Sequence, residues 1–386
     1  MKSPDVRSGV TLRSIAAELF PAMDRTRHRF YWKAPEASYR FASGKKSLHV
    51  LGGLMELRKD PITQNWVIQE DGEGPWPRFA ACPLCPGQEA LSPQTIYSYW
   101  NGKGRWQVRV TPHLRPLYRI EGDAQRRAEG IYDKMRGLGA HEVVVESPIH
   151  DASLSHLSDE DVAQVLRAYV SRITDLKKDR RFRYVAVFRN QGALAGQDLE
   201  HSHSQITATP FIPRRVIYEL RSFQAYYALK ERCILCDIST QEISHQVRTV
   251  EWDDQFVAFC PFASRVPYET WILPLNHHCS FEEDLITWDR QIHLARFLKS
   301  ILRRLESVSP AYHLVLHTTP NVAAKYDRKE HWMTLADDSH WHFEILPASE
   351  PKSKSYSVKE VYYNSVRPEL AAEELRAAGA EIRTKT

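Results

Sequence analysis

Two C-x-x-C pairs, each followed at matching places by histidines, set the strongest limit on what this chain can fold into. Cys82-Pro-Leu-Cys85 precedes a β-branched run, Val143-Val144-Val145, and then Ser147-Pro148-Ile149-His150. An amphipathic stretch, the run Tyr184-Val185-Ala186-Val187-Phe188, a glycine loop and His201-Ser202-His203-Ser204-Gln205 complete the first series. Cys233-Ile-Leu-Cys236 opens a second series, with Trp271-Ile272-Leu273, Pro274-Leu275-Asn276-His277, another amphipathic stretch, Leu314-Val315-Leu316 and His340-Trp341-His342-Phe343-Glu344. Both read C-x-x-C, strand, Pro-then-His, helix, strand, H-x-H strand. One duplicated unit accounts for this order better than two unrelated domains.

Each series alternates strands with a single long helix, which predicts an α+β fold with an antiparallel sheet in each half, two sheets with packed helices. In the first half Ser158 is placed to cap a helix, with Asp159, Glu160 and Asp161 in its first turn. Val162, Val165, Leu166, Tyr169, Val170 and Ile173 form its apolar stripe. In the second half Leu294, Leu298, Ile301, Leu302 and Leu305 do the same. The expected divisions are a basic extension (1–50), a first half (51–215), a second half (216–350) and a C-terminal segment (351–386). The extension carries ten Lys/Arg against four Asp/Glu, and Leu12–Met23 has the pattern of one short amphipathic helix.

Zinc takes four Cys/His ligands in tetrahedral geometry. The first half offers Cys82, Cys85, His150 and His201, and the second offers Cys233, Cys236, His277 and His340. A redox role for either pair needs a thiol of low pKa, usually at a helix N-terminus. Pro83 and Pro86 favour a tight knuckle loop at the first pair instead. A rival second site, Glu219, His317, His340 and His342, competes for His340. The cysteine version mirrors the first half and is the expectation, with two zinc ions per chain. Cys260 and Cys279 have no partner at ligand spacing.

The 386 residues carry a net charge of only +4, which suits phosphate-bearing small molecules and leaves nucleic acid as a lesser alternative. No apolar run approaches the ~18 residues of a membrane span. No secretory signal pattern is present, so a cytoplasmic protein without a membrane partner is expected.

Side chains in a strand alternate faces, so His201, His203 and Gln205 share one. A metal on His201 would fix that strand and aim His203. A neutral imidazole can attack an α-phosphorus and divide one displacement into two. The amide of Gln205 can stabilise the developing charge. Upstream, Asn190-Gln191-Gly192-Ala193-Leu194-Ala195-Gly196 has glycines that permit close approach of backbone N–H groups to phosphate oxygens.

At these residues the chain resembles the galactose-1-phosphate uridylyltransferase family of the histidine-triad superfamily, including its ADP-glucose phosphorylase-like members. The segments that carry the resemblance are Leu57-Arg-Lys-Asp-Pro-Ile-Thr63 with Trp66-Val67, Cys82-Pro-Leu-Cys-Pro-Gly87, His141-Glu-Val-Val-Val-Glu-Ser-Pro-Ile-His150, Asn190-Gln-Gly192 and His201-Ser-His-Ser-Gln205. Cys233-Ile-Leu-Cys236, Pro267-Tyr-Glu-Thr-Trp-Ile-Leu-Pro274 and His340-Trp-His-Phe-Glu-Ile-Leu-Pro347 follow. The resemblance implies two fused histidine-triad-like halves, a homodimer and a ping-pong nucleotidyl transfer. A nucleoside diphosphate sugar would give its nucleoside monophosphate to His203, and a sugar 1-phosphate or phosphate would accept it. Gln205 would contact the transferred phosphoryl group, and Asn190 the nucleotide.

The chain departs from the family in three places. The family's Arg-Ala-Lys-Arg-Pro stretch reads Glu70-Asp-Gly-Glu-Gly-Pro-Trp-Pro-Arg78-Phe, leaving Arg78 as a possible phosphate contact. A serine five residues before the nucleophile is here Asp198, with Glu200 nearby. The hexose-contacting C-terminal segment reads Tyr356-Ser-Val-Lys-Glu-Val-Tyr362 and matches poorly. Two other readings stand beside the transferase: a histidine-triad nucleotide hydrolase, and a non-catalytic zinc-stabilised nucleic-acid-binding or scaffold protein. The intact His203 and Gln205 weigh against the latter.

Overall fold

A computed structural model describes residues 55–70, 79, 81–102, 104–324, 332–348 and 361–385. The basic extension, Arg78 and most of the Tyr356–Tyr362 segment lie outside the described residues. In chain order the first half comprises β1 (Glu56–Lys59), β2 (Trp66–Gln69), β3 (Tyr97–Trp100), β4 (Trp106–Pro112), β5 (Arg127–Glu129), β6 (Tyr132–Arg136), β7 (Ala140–Val145), α1 (Asp159–Lys177), β8 (Tyr184–Gln191) and β9 (His203–Thr209). There follow α2 (Arg214–Lys230), α3 (Ile234–His245), β10 (Thr249–Trp252), β11 (Phe256–Phe259), β12 (Thr270–Pro274), α4 (Phe281–Asp284), α5 (Trp288–Glu306), β13 (Tyr312–His317), α6 (Leu335–Asp338), β14 (His342–Pro347) and α7 (Pro368–Lys385).

The architecture is α+β with two antiparallel sheets. One is small, ordered β2-β1-β6-β5. The other has ten strands, ordered β10-β11-β12-β14-β13-β8-β9-β7-β4-β3. The duplication is legible in that order. Read inward from either edge, the strands follow the same succession, and β9 and β14 occupy matching positions. The half-sheets predicted from sequence do not stay apart: β8 and β13 pair antiparallel, with Arg189 opposite Leu314 and Phe188 opposite Val315. Joining them satisfies the backbone groups that two open edges would otherwise expose.

Helices α1 and α5 cover one face of this sheet. Ser158 caps α1 by accepting from the Asp161 N–H, and Thr287 caps α5 by accepting from the Arg290 N–H. Three acidic residues in the first turn of α1 oppose the positive end of its dipole. Val162, Val165, Leu166, Tyr169 and Ile173 meet Leu294, Leu298, Ile301, Leu302 and Leu305 in a single core with Val144, Ile206 and Ala208 from the sheet. On the opposite face of the sheet, α2 and α3 bring Leu220, Phe223 and Leu235 against Val257, Phe259 and Leu273. The strand alternation places the functional face: Ile206 and Ala208 point into the α1 core, so His203 and Gln205 on the same strand point away from it.

Candidate functional site

The H-S-H-S-Q run is held from both sides of the sheet. Ser202 and Ser204 donate to the buried carboxylate of Glu146, at 2.7 Å from Ser202. Arg189 pairs with the same carboxylate and donates to the His203 carbonyl at 3.0 Å. Tyr169 of α1 bonds Ser204. The serines therefore anchor the run, while the histidines and the glutamine face the site. His201 lies two residues before β9, which begins at His203 rather than at His201, and its ring is directed to the cysteine pair.

His203 is buried, and its Nδ1–H donates to the His201 carbonyl at 2.7 Å. Its Nε2 lies 3.0 Å from Asp198 Oδ1. Gln205 donates to the same oxygen at 3.1 Å, and His113 Nε2 lies 3.0 Å from Asp198 Oδ2. Burial would raise the Asp198 carboxyl, but hydrogen bonds from His113 and His203 outweigh it and hold the group far below the ordinary carboxylate range. His141 sets the polarity of Gln205. The Leu117 N–H donates to His141 Nδ1 at 3.1 Å, so Nε2 carries the proton and donates to Gln205 Oε1 at 2.8 Å. The Gln205 amide N–H groups consequently face the site. Burial, and the His113 ring stacked 4.1 Å away, push His141 down to about 3 and keep it neutral.

His113 escaped the sequence reading. It sits at the end of β4, far in sequence from the H-S-H-S-Q run, and joins the site through the β4–β7–β9 ladder. The histidine at 141, inside a run of β-branched residues, was the only local signal on that part of the sheet.

Cys82, Cys85, His150 and His201 converge as the spacing predicts, and so do Cys233, Cys236, His277 and His340. Cys85 Sγ lies 3.3 Å from His150 Nδ1 and 3.5 Å from His201 Nδ1, and Cys82 Sγ is 3.8 Å from His201 Nδ1. The second set gives 3.4 Å for Cys236–His277, 3.5 Å for Cys236–His340 and 3.9 Å for Cys233–His340. Tetrahedral ligands at the ~2.0–2.3 Å of Zn–N and Zn–S bonds stand roughly 3.3–3.8 Å apart, so both sets fit zinc. His201 Nε2 donates to Ser147 O at 2.8 Å and His277 Nε2 to Ala336 O at 2.9 Å, which leaves Nδ1 of each for the ion. The first cysteine pair forms a knuckle closed by the Cys85 N–H and the Cys82 carbonyl. The second sits on the N-terminus of α3, with Cys233 at its cap.

Glu219, His317 and His342 form a separate cluster, with Glu219 2.8 Å from His317 Nδ1 and the two imidazoles stacked at 4.5 Å. The sequence had set this group in competition with the cysteines for His340. The structure removes the competition. His340 lies before β14 and belongs to the cysteine set, whereas His342 opens β14 and stacks on His317. Burial would lower His317, yet Glu219 and Glu344 raise it to about 10.

The glycine loop is shaped by its own bonds. Gly192 and Gly196 have φ of +80° and +71°. The Gly192 N–H donates to Gln197 Oε1 at 2.7 Å and the Gly196 N–H to the Ala193 carbonyl at 3.0 Å. Both amides expected to approach a phosphate are thus engaged inside the turn, which carries Asp198 to His203. Asn190 lies on β8 beside β9, with its side-chain oxygen 2.9 Å from His313 Nδ1.

Comparison with known proteins agrees with this arrangement. The profile of the galactose-1-phosphate uridyl transferase N-terminal domain matches residues 46–213. ADP-glucose phosphorylase of Arabidopsis thaliana is 29% identical over 83% of this chain and 92% of its own length. Galactose-1-phosphate uridylyltransferase of Thermotoga maritima is 26% identical over 85% of this chain and 100% of its own. A solved uridylyltransferase superposes with a TM-score of 0.70 at 28% identity, over 85% of this chain and 99% of that one. The Arabidopsis thaliana ADP-glucose phosphorylase solved with bound ADP-glucose gives 0.66 at 29% identity, over 83% and 98%.

Proposed function

The chain is a nucleotidyltransferase related to the galactose-1-phosphate uridylyltransferases and ADP-glucose phosphorylase, and we propose that it takes a nucleoside monophosphate from a nucleoside diphosphate sugar onto His203. One observation carries this reading: the His203 Nδ1–H is committed to the His201 carbonyl at 2.7 Å, so Nε2, which meets Asp198 Oδ1 at 3.0 Å, is the nitrogen left for a substrate that displaces that contact. Nε2 attacks the α-phosphorus, the bond to the bridging oxygen breaks, and the sugar 1-phosphate leaves. Gln205, its amide polarity fixed by His141, donates to the phosphoryl oxygen as negative charge builds. Breaking one displacement into two also lets one site serve donor and acceptor in turn.

Zinc is the ion proposed for both Cys/His sets, held by Cys82, Cys85, His150 and His201 and by Cys233, Cys236, His277 and His340. Its contribution is structural: all four ligands in each set come from the protein, and His201 ties the first set to the catalytic strand. The resemblance extends the proposal to a homodimer. Among the described residues no helix is long and apolar enough to cross a membrane.

The test is pre-steady-state release of sugar 1-phosphate from UDP-glucose and ADP-glucose. The reading requires a burst from one of them equal to the enzyme concentration. Linear release from the first turnover, with no burst at any donor concentration, would speak against a covalent intermediate that accumulates.

A further inference from the structure

We propose that His313, on a strand of the second half, is a positioning residue for the first half's site: it fixes the Asn190 amide so that its N–H groups face the phosphates of a nucleotide sugar held at His203. This rests on the nucleotidyl-His203 reading above.

The sheet register carries the argument. Phe188 pairs with Gln205, so Asn190, two residues further along β8, comes level with His203 on β9. His313 pairs directly with Asn190 across the join between the halves. Residues opposite one another in an antiparallel ladder share a face. Val187, Tyr312 and Leu314 face the α1 core, so His203, Asn190 and His313 stand in one row on the other face. Adjacent strands are ~4.8 Å apart, which makes Asn190 the next neighbour in that row of a phosphoryl group on His203.

One hydrogen bond sets the polarity of the amide. Asn190 Oδ1 lies 2.9 Å from His313 Nδ1. An amide oxygen only accepts, so Nδ1 carries the proton and donates. With Oδ1 turned to β13, the Asn190 N–H groups are left for the His203 side, and no other side chain among the described residues engages them. Burial holds His313 below the ordinary imidazole range, so it orients the amide as a neutral group. The device matches the one at Gln205, whose Oε1 is taken by His141. Two amides, each locked by a neutral imidazole, then offer N–H groups to phosphoryl oxygens as charge develops.

The second half lacks the device. The internal symmetry is centred on the Phe188–Val315 pair, so His342 and its neighbour His317 correspond to His203 and Asn190. The counterpart of His313 is Ala186, one step beyond the Leu316–Val187 pair, and a methyl group orients nothing. His313 is thus a residue that the second half lends to the first half's site without receiving its equivalent in return.

The experiment is a double-mutant cycle on the single-turnover rate of protein labelling from α-³²P UDP-glucose or ADP-glucose, with nucleotide-sugar affinity measured by calorimetry in parallel. Asn190→Ala should slow labelling about 100-fold. His313→Ala should slow it about tenfold, and the double variant should be no slower than Asn190→Ala, because His313 acts only through that amide. His313→Asn, whose side-chain N–H can donate to Asn190 Oδ1 in place of Nδ1, should restore most of the wild-type rate. A further loss of about tenfold in the double variant, a wild-type rate in His313→Ala, or no rescue in a His313→Asn protein that melts like wild type would each overturn the inference while leaving the covalent reading intact. If wild type takes no label, the covalent reading fails and affinity decides the inference: the same non-additive pattern in Kd sustains it, whereas an unchanged Kd in His313→Ala, or no binding of either nucleotide sugar by wild type, overturns it.

Discussion

His203 and His201 are joined by a hydrogen bond, from the imidazole Nδ1–H of one to the backbone carbonyl of the other, 2.7 Å long. The bond links a proposed metal ligand to the proposed nucleophile two positions on. His342 repeats it, 3.2 Å from the carbonyl of His340, in the second half. The duplication thus preserved the aiming device in both halves. Only the first half places an amide, Gln205, two residues further; the second has Glu344, bound by Arg215 and Arg265. His203→Ala should therefore lower transfer by roughly 10⁴-fold or more, with circular dichroism and metal content unchanged. Retained turnover would remove His203 as the nucleophile.

The two metal sets make a second prediction. Cys82→Ser should lower zinc content, measured by mass spectrometry of the digested protein, and the melting temperature together, because structural zinc contributes folding free energy directly. Cys236→Ser should do the same for the second set. His317→Ala should leave the zinc of that second set in place, since His317 belongs to the other cluster. Loss of the Cys236-dependent ion in His317→Ala would show that the two clusters share it after all.

A third concerns the anchor under β9. Glu146 is fully buried and receives Arg189, Ser202 and Ser204. Glu146→Gln leaves the buried Arg189 guanidinium without a counter-charge and should destabilise the protein by about 3–5 kcal/mol in urea unfolding. A change below about 1 kcal/mol would mean that Arg189 finds another partner.

His141 gives stability a pH dependence of known sign. Its folded pKa is depressed to about 3, against an ordinary 6.5. The unfolded chain therefore binds a proton between those values that the folded chain does not. The contribution of His141 is complete above pH 6.5 and declines as pH falls toward 3. His141→Asn should flatten the decline in melting temperature between pH 7 and pH 5. An unchanged slope in the variant would place the titration elsewhere.

How far the sequence disclosed this molecule depends on which interactions are local. Ser158 and its acidic turn, the apolar stripes of α1 and α5, and the strand at Tyr184 follow from short-range periodicity and capping. The cysteine–histidine sets were legible because thiol and imidazole at repeated spacings have few other uses together. The fusion of the half-sheets through β8 and β13 was not, since strand pairing across halves leaves no local mark. His113 was hidden for the same reason. The glycine loop misled in a different way. Its composition suggested amides open to phosphate, whereas Gln197 and Ala193 occupy them. His340 was contested between two sites on paper because a one-dimensional list cannot show that His340 stops short of β14 and meets the cysteines while His342, on the strand, stacks on His317.

The measurement that bears most directly on the central claim is intact-protein mass after brief incubation with UDP-glucose or ADP-glucose and an alkaline quench, which preserves acid-labile phosphoramidates. The account predicts a gain equal to one nucleoside monophosphate from one donor, absent in His203→Ala. A folded, zinc-loaded protein that gains no mass from either donor at any quench time, or one whose gain survives His203→Ala, would contradict it.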